Sequence, residues 1–276
     1  MKILTVILFL ILLLGVIIIP NVSAFPVHVE VVTGGSTSST TVVSGSISAV
    51  NNHLYLVAVS TKPDKDATNV SGLGLTWNQI KEQCAGRAQT RTEVWYAIGN
   101  PTGNDNVTAT FASAPLSSVI VVSRFSNVDT SDPIGNSTSK NSNGVGDTTC
   151  TGGTDAASYS VNLTTTLNNS LAYGAVSIRQ RTHTPGEGVI ERAEVTAGVG
   201  GDAAGVATED KNVTLATTLA VNGTFSSTVD YAVVAVEIKE KVDNPPNITA
   251  LNYPGNNSKI NSVPVNFNFT VEDDTG

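Results

Sequence analysis

The chain has 276 residues, 15 lysines and arginines against 23 aspartates and glutamates, a formal net charge of −8 and a pI of about 4.8. An acidic chain without a basic run argues against a nucleic-acid partner. Scarce lysine beside plentiful Ser, Thr, Asn, Gly and Val favours strands and turns over helices.

At the N-terminus, Lys2 precedes an apolar run of about 17 residues, Ile3 to Ile19, broken only by Thr5 and Gly15. Pro20 ends the run, and Val22-Ser23-Ala24 fits a signal peptidase site. Residues 1–24 therefore read as a signal peptide, with a mature chain from Phe25. Retention of the run as a membrane anchor is the alternative, and membrane contact is expected only in that case. Either way the rest of the chain is expected outside the cytoplasm, extracellular or at the cell surface.

From Phe25 to Lys241 period-two alternation recurs. Thr92, Val94, Tyr96 and Ile98 share one face, opposite Arg91, Glu93 and Trp95. Val107, Ala109 and Phe111 oppose Asn106, Thr108 and Thr110, and Tyr159, Val161 and Leu163 oppose Ser160, Asn162 and Thr164. These read as half-buried strands. Leu54 to Val59, Val119 to Val122, Leu171 to Ile178 and Tyr231 to Ile238 are apolar on both faces and read as central strands covered on both sides. Turn signals separate the runs: Asn51-Asn52, Pro63-Asp64, Asn100-Pro101-Thr102-Gly103, Asp132-Pro133 and Asn222-Gly223. No segment holds a helical period. The expected fold is all-β, an antiparallel two-sheet sandwich of jelly-roll or immunoglobulin-like type over residues 25–241, with a closed barrel as the alternative. The polar run 242–247, which holds Pro245-Pro246, reads as a linker. Residues 248–276 are strand-like again and read as the start of an incomplete immunoglobulin-like module.

Two cysteines in an exported chain, Cys84 and Cys150, suggest a disulfide, with two unpaired buried thiols as the alternative. Asn-x-Ser/Thr sequons stand at Asn69, Asn106, Asn136, Asn162, Asn168, Asn212, Asn222, Asn247, Asn256 and Asn268, and at Asn21 in the leader. They are candidate glycosylation sites, although a strand that alternates polar and apolar residues also generates Asn-x-Thr by itself.

Catalytic signatures are sparse. The histidines, His28, His53 and His183, lie far apart, and no nucleophile elbow, zinc-binding helix motif or phosphate loop occurs. Gly198-Val199-Gly200-Gly201-Asp202-Ala203 imitates part of a dinucleotide fingerprint, but in a β context that offers no helix. Asp129 to Asp132 could offer oxygens to Ca²⁺, yet an Asx-turn suits it better. No cofactor and no metal site is expected. The densest run of reactive side chains is IRQRTHTPGEGVIERAEV, residues 178–195. Thr184-Pro185-Gly186-Glu187-Gly188 reads as a turn, and its flanks as strands of a surface hairpin braced by ion pairs. A ligand-contacting rim of Trp95, Arg181, His183, Glu187, Glu191 and Arg192 is the functional alternative. Glu187 with Glu191 or Glu194 is the local carboxylate pair that a glycoside hydrolase would need. The stretch lacks the aromatic platforms of a sugar cleft.

The blocks LTWNQIKEQCAGRAQTRTEVWYAIG (75–99), VIVVSRFSNVDTSDPIGN (119–136), ASYSVNLTTT (157–166), RTHTPGEGVIERAEV (181–195) and STVDYAVVAVEIK (227–239) resemble, in order, a largely uncharacterised β-sandwich domain of secreted and cell-surface proteins of prokaryotes. Residues 245–276 resemble the first strands of immunoglobulin-like repeats of such surface proteins. The resemblance implies a domain disulfide and an adhesive setting, and no catalytic residues. The expected function is a non-enzymatic extracellular module with a structural or adhesive role. Its partners would be cell-surface polymers, glycans or other surface proteins. A carbohydrate-binding module is the alternative, and a secreted glycoside hydrolase stands behind it.

Overall fold

A computed structural model describes residues 25–144, 146, 150 and 153–241, together with the backbone of residues 247–253 and 268–272. The expected leader, and the linker up to residue 246, lie outside these residues. Residues 24–242 make one compact unit. Its first half carries β1 (Val27–Thr37), β2 (Thr41–Ile47), β3 (Leu54–Lys62), β4 (Ala67–Ser71), β5 (Asn78–Cys84), β6 (Arg91–Ile98), β7 (Asp105–Phe111) and β8 (Ser117–Ser126). Its second half carries β9 (Ile134–Asn141), β10 (Ala156–Thr164), β11 (Ser170–Ser177), β12 (His183–Pro185), β13 (Ile190–Ala197), β14 (Ala204–Val213), β15 (Thr218–Val229) and β16 (Ala232–Ile238). In the separate C-terminal unit β17 (Asn247–Tyr253) pairs antiparallel with β18 (Asn268–Glu272).

The chain is all-β and antiparallel, and its sheets pack as sandwiches. In the first half a five-stranded sheet, β1-β8-β3-β6-β5, lies against a three-stranded one, β2-β7-β4. In the second half β9-β16-β11-β14-β13 lies against β10-β15-β12. Adding eight to each strand number of the first half gives the second. Each half has the strand order of a jelly roll, with one departure: β5, and its counterpart β13, pairs with the next strand in the larger sheet rather than joining the smaller one. The short β5–β6 connection enforces this, since the Ala85 N–H donates to the Thr90 carbonyl at 2.7 Å and folds the two strands into a hairpin.

The registers coincide too. Leu54 stands opposite Phe125 and Val42 opposite Ala109, while Leu171 stands opposite Ile238 and Tyr159 opposite Gly223. The duplication is written in the chain. NNHLYLVAVSTK (51–62) aligns with NNSLAYGAVSIR (168–179), and NVTATF (106–111) with AVNGTF (220–225). In the first pair Asn52 and Asn169 occupy the same left-handed turn position, at φ 60° and 54°. A short polar side chain tolerates that backbone.

The large sheets of the two halves pack face to face, so the order of layers is small, large, large, small. Leu54, Leu56, Ala58, Val119 and Val121 meet Leu171, Tyr173, Ala175, Val234 and Val236 in the central core. Tyr55, Val57, Val59 and Val122 turn the other way, onto Val42, Val107 and Phe111 of the first small sheet. Val176, Val233 and Ala235 likewise pack on Tyr159, Val161 and Phe225 of the second. This explains the runs that are apolar on both faces: they are β3, β8, β11 and β16, each covered on both sides. The alternating runs of β7 and β10 lie in the small sheets, which are covered on one side only. β6 departs from the expected half-burial. Arg91 and Glu93 are both buried, because the large sheet has a neighbour on either face.

One end of the unit is pinned across the halves. Cys84, at the end of β5, is disulfide-bonded to Cys150, before β10, with a Cα–Cα distance of 5.3 Å. Nearby, Arg87 binds Asp155 and Asp230 of the second half. The Thr92 hydroxyl donates to the Ala232 carbonyl at 2.9 Å, and the Ser139 hydroxyl to Gln83 Oε1 at 2.9 Å.

Candidate functional site

The stretch 178–195 does not form the expected hairpin. β12 pairs with β15 in the small sheet, His183 opposite Phe225, whereas β13 pairs with β14 in the large one. The chain crosses between layers twice, as jelly-roll connections do. It leaves β11 through Arg179, at φ 51°, and returns through the turn Gly186 to Val189, closed by the Val189 N–H on the Gly186 carbonyl at 3.2 Å. Cross-strand ion pairs within a hairpin are therefore ruled out for this segment. Asn222-Gly223, expected as a turn, lies inside β15.

At this crossing four side chains, all but the half-buried Glu191 buried, form a chain of hydrogen bonds. His183 Nδ1 lies 2.5 Å from Glu191 Oε2, and its Nε2 lies 2.8 Å from the Tyr159 hydroxyl. Tyr159 donates to Glu209 Oε1 at 2.7 Å. The His183 main-chain N–H donates to Glu194 Oε2 at 2.9 Å. A register shift between Glu191 and Ala193 makes this geometry. It lets Glu191 and Glu194 both reach His183 while Ala193, Val195 and Ala197 turn to the central core. The expected strict alternation across 189–195 breaks there.

Glu209 is 1% exposed, and its Oε2 finds no hydrogen-bond partner. Burial pushes its carboxyl up to about 7, against the Tyr159 hydrogen bond and with a smaller push from Glu191 and Asp210. Two glycines hold the space. A Cβ on Gly174 would stand 3.0 Å from Glu209 Cγ, and one on Gly223 2.7 Å from His183 Nε2 and 2.9 Å from Tyr159 Cε1. Tyr159 also stacks on Phe225 at 5.4 Å between ring centroids. The cluster joins four strands around one imidazole, β10 and β12 of the small sheet and β13 and β14 of the large one.

The first half carries a related corner on the equivalent strands. Glu93 of β6 is 1% exposed and accepts from the Ala67 N–H of β4 and from the Trp95 indole, both at 2.9 Å. Burial pushes it up to about 7, opposed by those two hydrogen bonds and by Arg91. The carboxylates of Asp66, Glu82 and Glu93 come within 4.8 Å of one another. Arg91 bridges the acids around it, at 2.5 Å to Asp64, 2.7 Å to Asp66 and 2.6 Å to Glu82. A guanidinium thus already supplies the positive charge that a metal ion would bring.

The expected rim is dispersed. Trp95 packs into the core of the first half, whereas His183 and Glu191 belong to the second. Arg192 grips Asp210 with two bonds, at 2.7 and 2.8 Å. Glu187 is exposed, and its carbonyl accepts from Lys211 at 3.2 Å. Arg181 lines a separate pocket with Arg179 and Gly201. Of the rim only His183 and Glu191 come together, joined by Glu194 of the candidate carboxylate pair. Tyr159, Glu209 and the glycines that cradle them escaped sequence reasoning. The visible signal was Thr208-Glu209-Asp210, charge inside an apolar strand. The Asp129 segment is an Asx-turn: Asp129 Oδ1 accepts from the Ser131 N–H at 2.8 Å and the Asp132 N–H at 3.0 Å.

Of the sequon asparagines, Asn69, Asn106, Asn136, Asn162, Asn168 and Asn212 are exposed and Asn222 is half-buried. Asn247 and Asn268 lie on β17 and β18, whose side chains are not described, and Asn256 lies outside the described residues. No helix among the described residues is long and apolar enough to cross a membrane. The disulfide points to an oxidising compartment. No protein-family model, curated protein or solved structure matches the chain.

Proposed function

We propose that the chain is a non-enzymatic extracellular or cell-surface module with a structural, adhesive role. The observation that carries this reading is the staple between the two jelly rolls, Cys84–Cys150 reinforced by Arg87 on Asp155 and Asp230. A bond of this kind persists outside the reducing cytoplasm, and it locks two stacked sandwiches into one stiff body. The export-type leader and the resemblance to surface-protein sandwiches support the same reading. The His183 chain then acts as a strut: its members bind one another across four strands and hold the crossing segment to both sheets.

The test is deletion of the chain from cells that make it, with attachment to surfaces measured and intact cells treated with protease. Loss of attachment, with the chain cut by external protease, is the expected outcome. Unchanged attachment with the chain protected inside the cell contradicts the reading. Polysaccharide turnover by the purified chain that vanishes in Glu191→Gln would overturn its non-enzymatic part. A carbohydrate-binding module is the second reading, favoured by the open pocket beside Arg181.

A further inference from the structure

At one end of the second jelly roll the β11–β12 crossing, the β13–β14 connection and the β15–β16 turn enclose a pocket of about 200 Å³. Arg179, Gln180, Arg181, Gly200, Gly201 and Asp155 line it. In a chain of net charge −8 two arginines line it, and among the described residues neither is paired with an acid. Arg179 donates to the Gly201 carbonyl at 2.6 Å, and its Nε is buried with no partner. Arg181 donates through Nε to the Thr228 carbonyl at 3.2 Å, and among the described residues no other bond engages its side chain. The acid of the pocket, Asp155, is taken by Arg87. Fixed by main-chain carbonyls, both guanidinium groups keep free donors with which to meet an anion.

The rest of the lining describes what accompanies the anion. The Gln180 amide, whose oxygen accepts from the Gly200 N–H at 2.8 Å, offers its NH₂ to a hydroxyl group. No aromatic ring among the described residues lines the pocket, so a neutral sugar finds no stacking platform there. The volume lies below the range of roughly 300–1,000 Å³ typical of drug-sized ligands, which suits a single sugar ring or side group. Gly201 lines the pocket. A Cβ there would meet nothing within 4 Å, so packing does not require the glycine, and a longer side chain would project into free space.

We propose that this pocket binds the carboxylate of an acidic glycan, a uronate residue held by the forked donors of Arg179 and Arg181. The inference names a ligand for the adhesive module and rests on that reading.

The experiment is calorimetric titration of the purified chain with trigalacturonate, the neutral galactotriose, sodium acetate and sodium sulfate. Saturable binding of trigalacturonate is expected, with galactotriose silent and the two small anions at least tenfold weaker. Arg181→Gln is expected to weaken trigalacturonate at least tenfold with an unchanged urea midpoint. Gly201→Leu, which leaves the charges in place, is expected to weaken it similarly by filling the mouth. Absence of trigalacturonate binding overturns the proposal, as does binding that is indifferent to both variants. Sulfate or acetate bound as tightly as trigalacturonate also overturns it, leaving a site for simple anions. The failure of the pocket is separable from that of the module, because protease accessibility on intact cells reports location whatever the titration shows.

Discussion

Gly223 decides whether the buried hydrogen-bond chain fits. The side chains of His183 and Tyr159 occupy the space its Cβ would take, and the Thr184 carbonyl stands 2.7 Å from that point. Gly223→Ala is expected to destabilise the chain by about 1–3 kcal/mol, the usual cost of overpacking, read as a lower urea midpoint. An unchanged midpoint would mean that the cluster is loosely held. Glu209 and Glu93 make a second residue-scale prediction. Each has a folded pKa raised from 4.5 to about 7. The stability linked to each is present in full below the unfolded value and is lost as pH rises from about 4.5 through 7. The loss is on the order of 3 kcal/mol per group as an upper bound. His28 and His53, lowered mainly by burial and further by nearby arginines, act in the opposite sense as pH falls below 6.5. The difference between the chain and Glu209→Gln therefore isolates the carboxyl. Urea midpoints at pH 5 and pH 8 are expected to move in favour of Glu209→Gln at the higher pH. A difference independent of pH would sink the argument.

Strands that are apolar on both faces could be read directly, because a side chain facing either neighbour must be apolar when both neighbours are sheets. β3, β8, β11 and β16 stood out for that reason, and the alternation of β7 and β10 marked them as outer strands. Pairing was harder. Asn-Gly at 222–223 has the composition of a turn, yet its glycine serves a steric need created by His183, some forty residues away. The 178–195 segment reads as a hairpin because its turn is local, whereas the partners of its flanks, β15 and β14, lie later in the chain. The duplication was not read from the sequence, although NNHLYLVAVSTK and NNSLAYGAVSIR carry it, because similarity survives mainly in central strands, where two covered faces restrict the choice of residue. The acid cluster was not legible, since a register shift put Glu191 and Glu194 on one side. At this scale the disulfide is the strongest single constraint. It spans a sequence separation of 66 residues, and in the chain-entropy model its loss costs about 4 kcal/mol. Cys84→Ser with Cys150→Ser is expected to lower the urea-derived stability by about that amount. A loss below about 1 kcal/mol would show that Arg87 and the sheet interface alone hold the halves together.

At the scale of the molecule, two jelly rolls share one central core and one covalent staple at the same end, and that construction carries the functional reading. A single cut between the halves would expose the faces of both large sheets, including Leu54, Leu56, Tyr173 and Val236, so the two sandwiches stand as one body. Thiol trapping in the cells that make the chain tests this account most directly: a maleimide reagent is added to intact cells before and after reduction, and Cys84 and Cys150 are read by mass spectrometry. The account predicts that the chain lies outside the cytoplasm, with neither cysteine labelled until a reductant is added and both labelled afterwards. Labelling of both cysteines without reductant, in a chain retained in the cytoplasm, would contradict it.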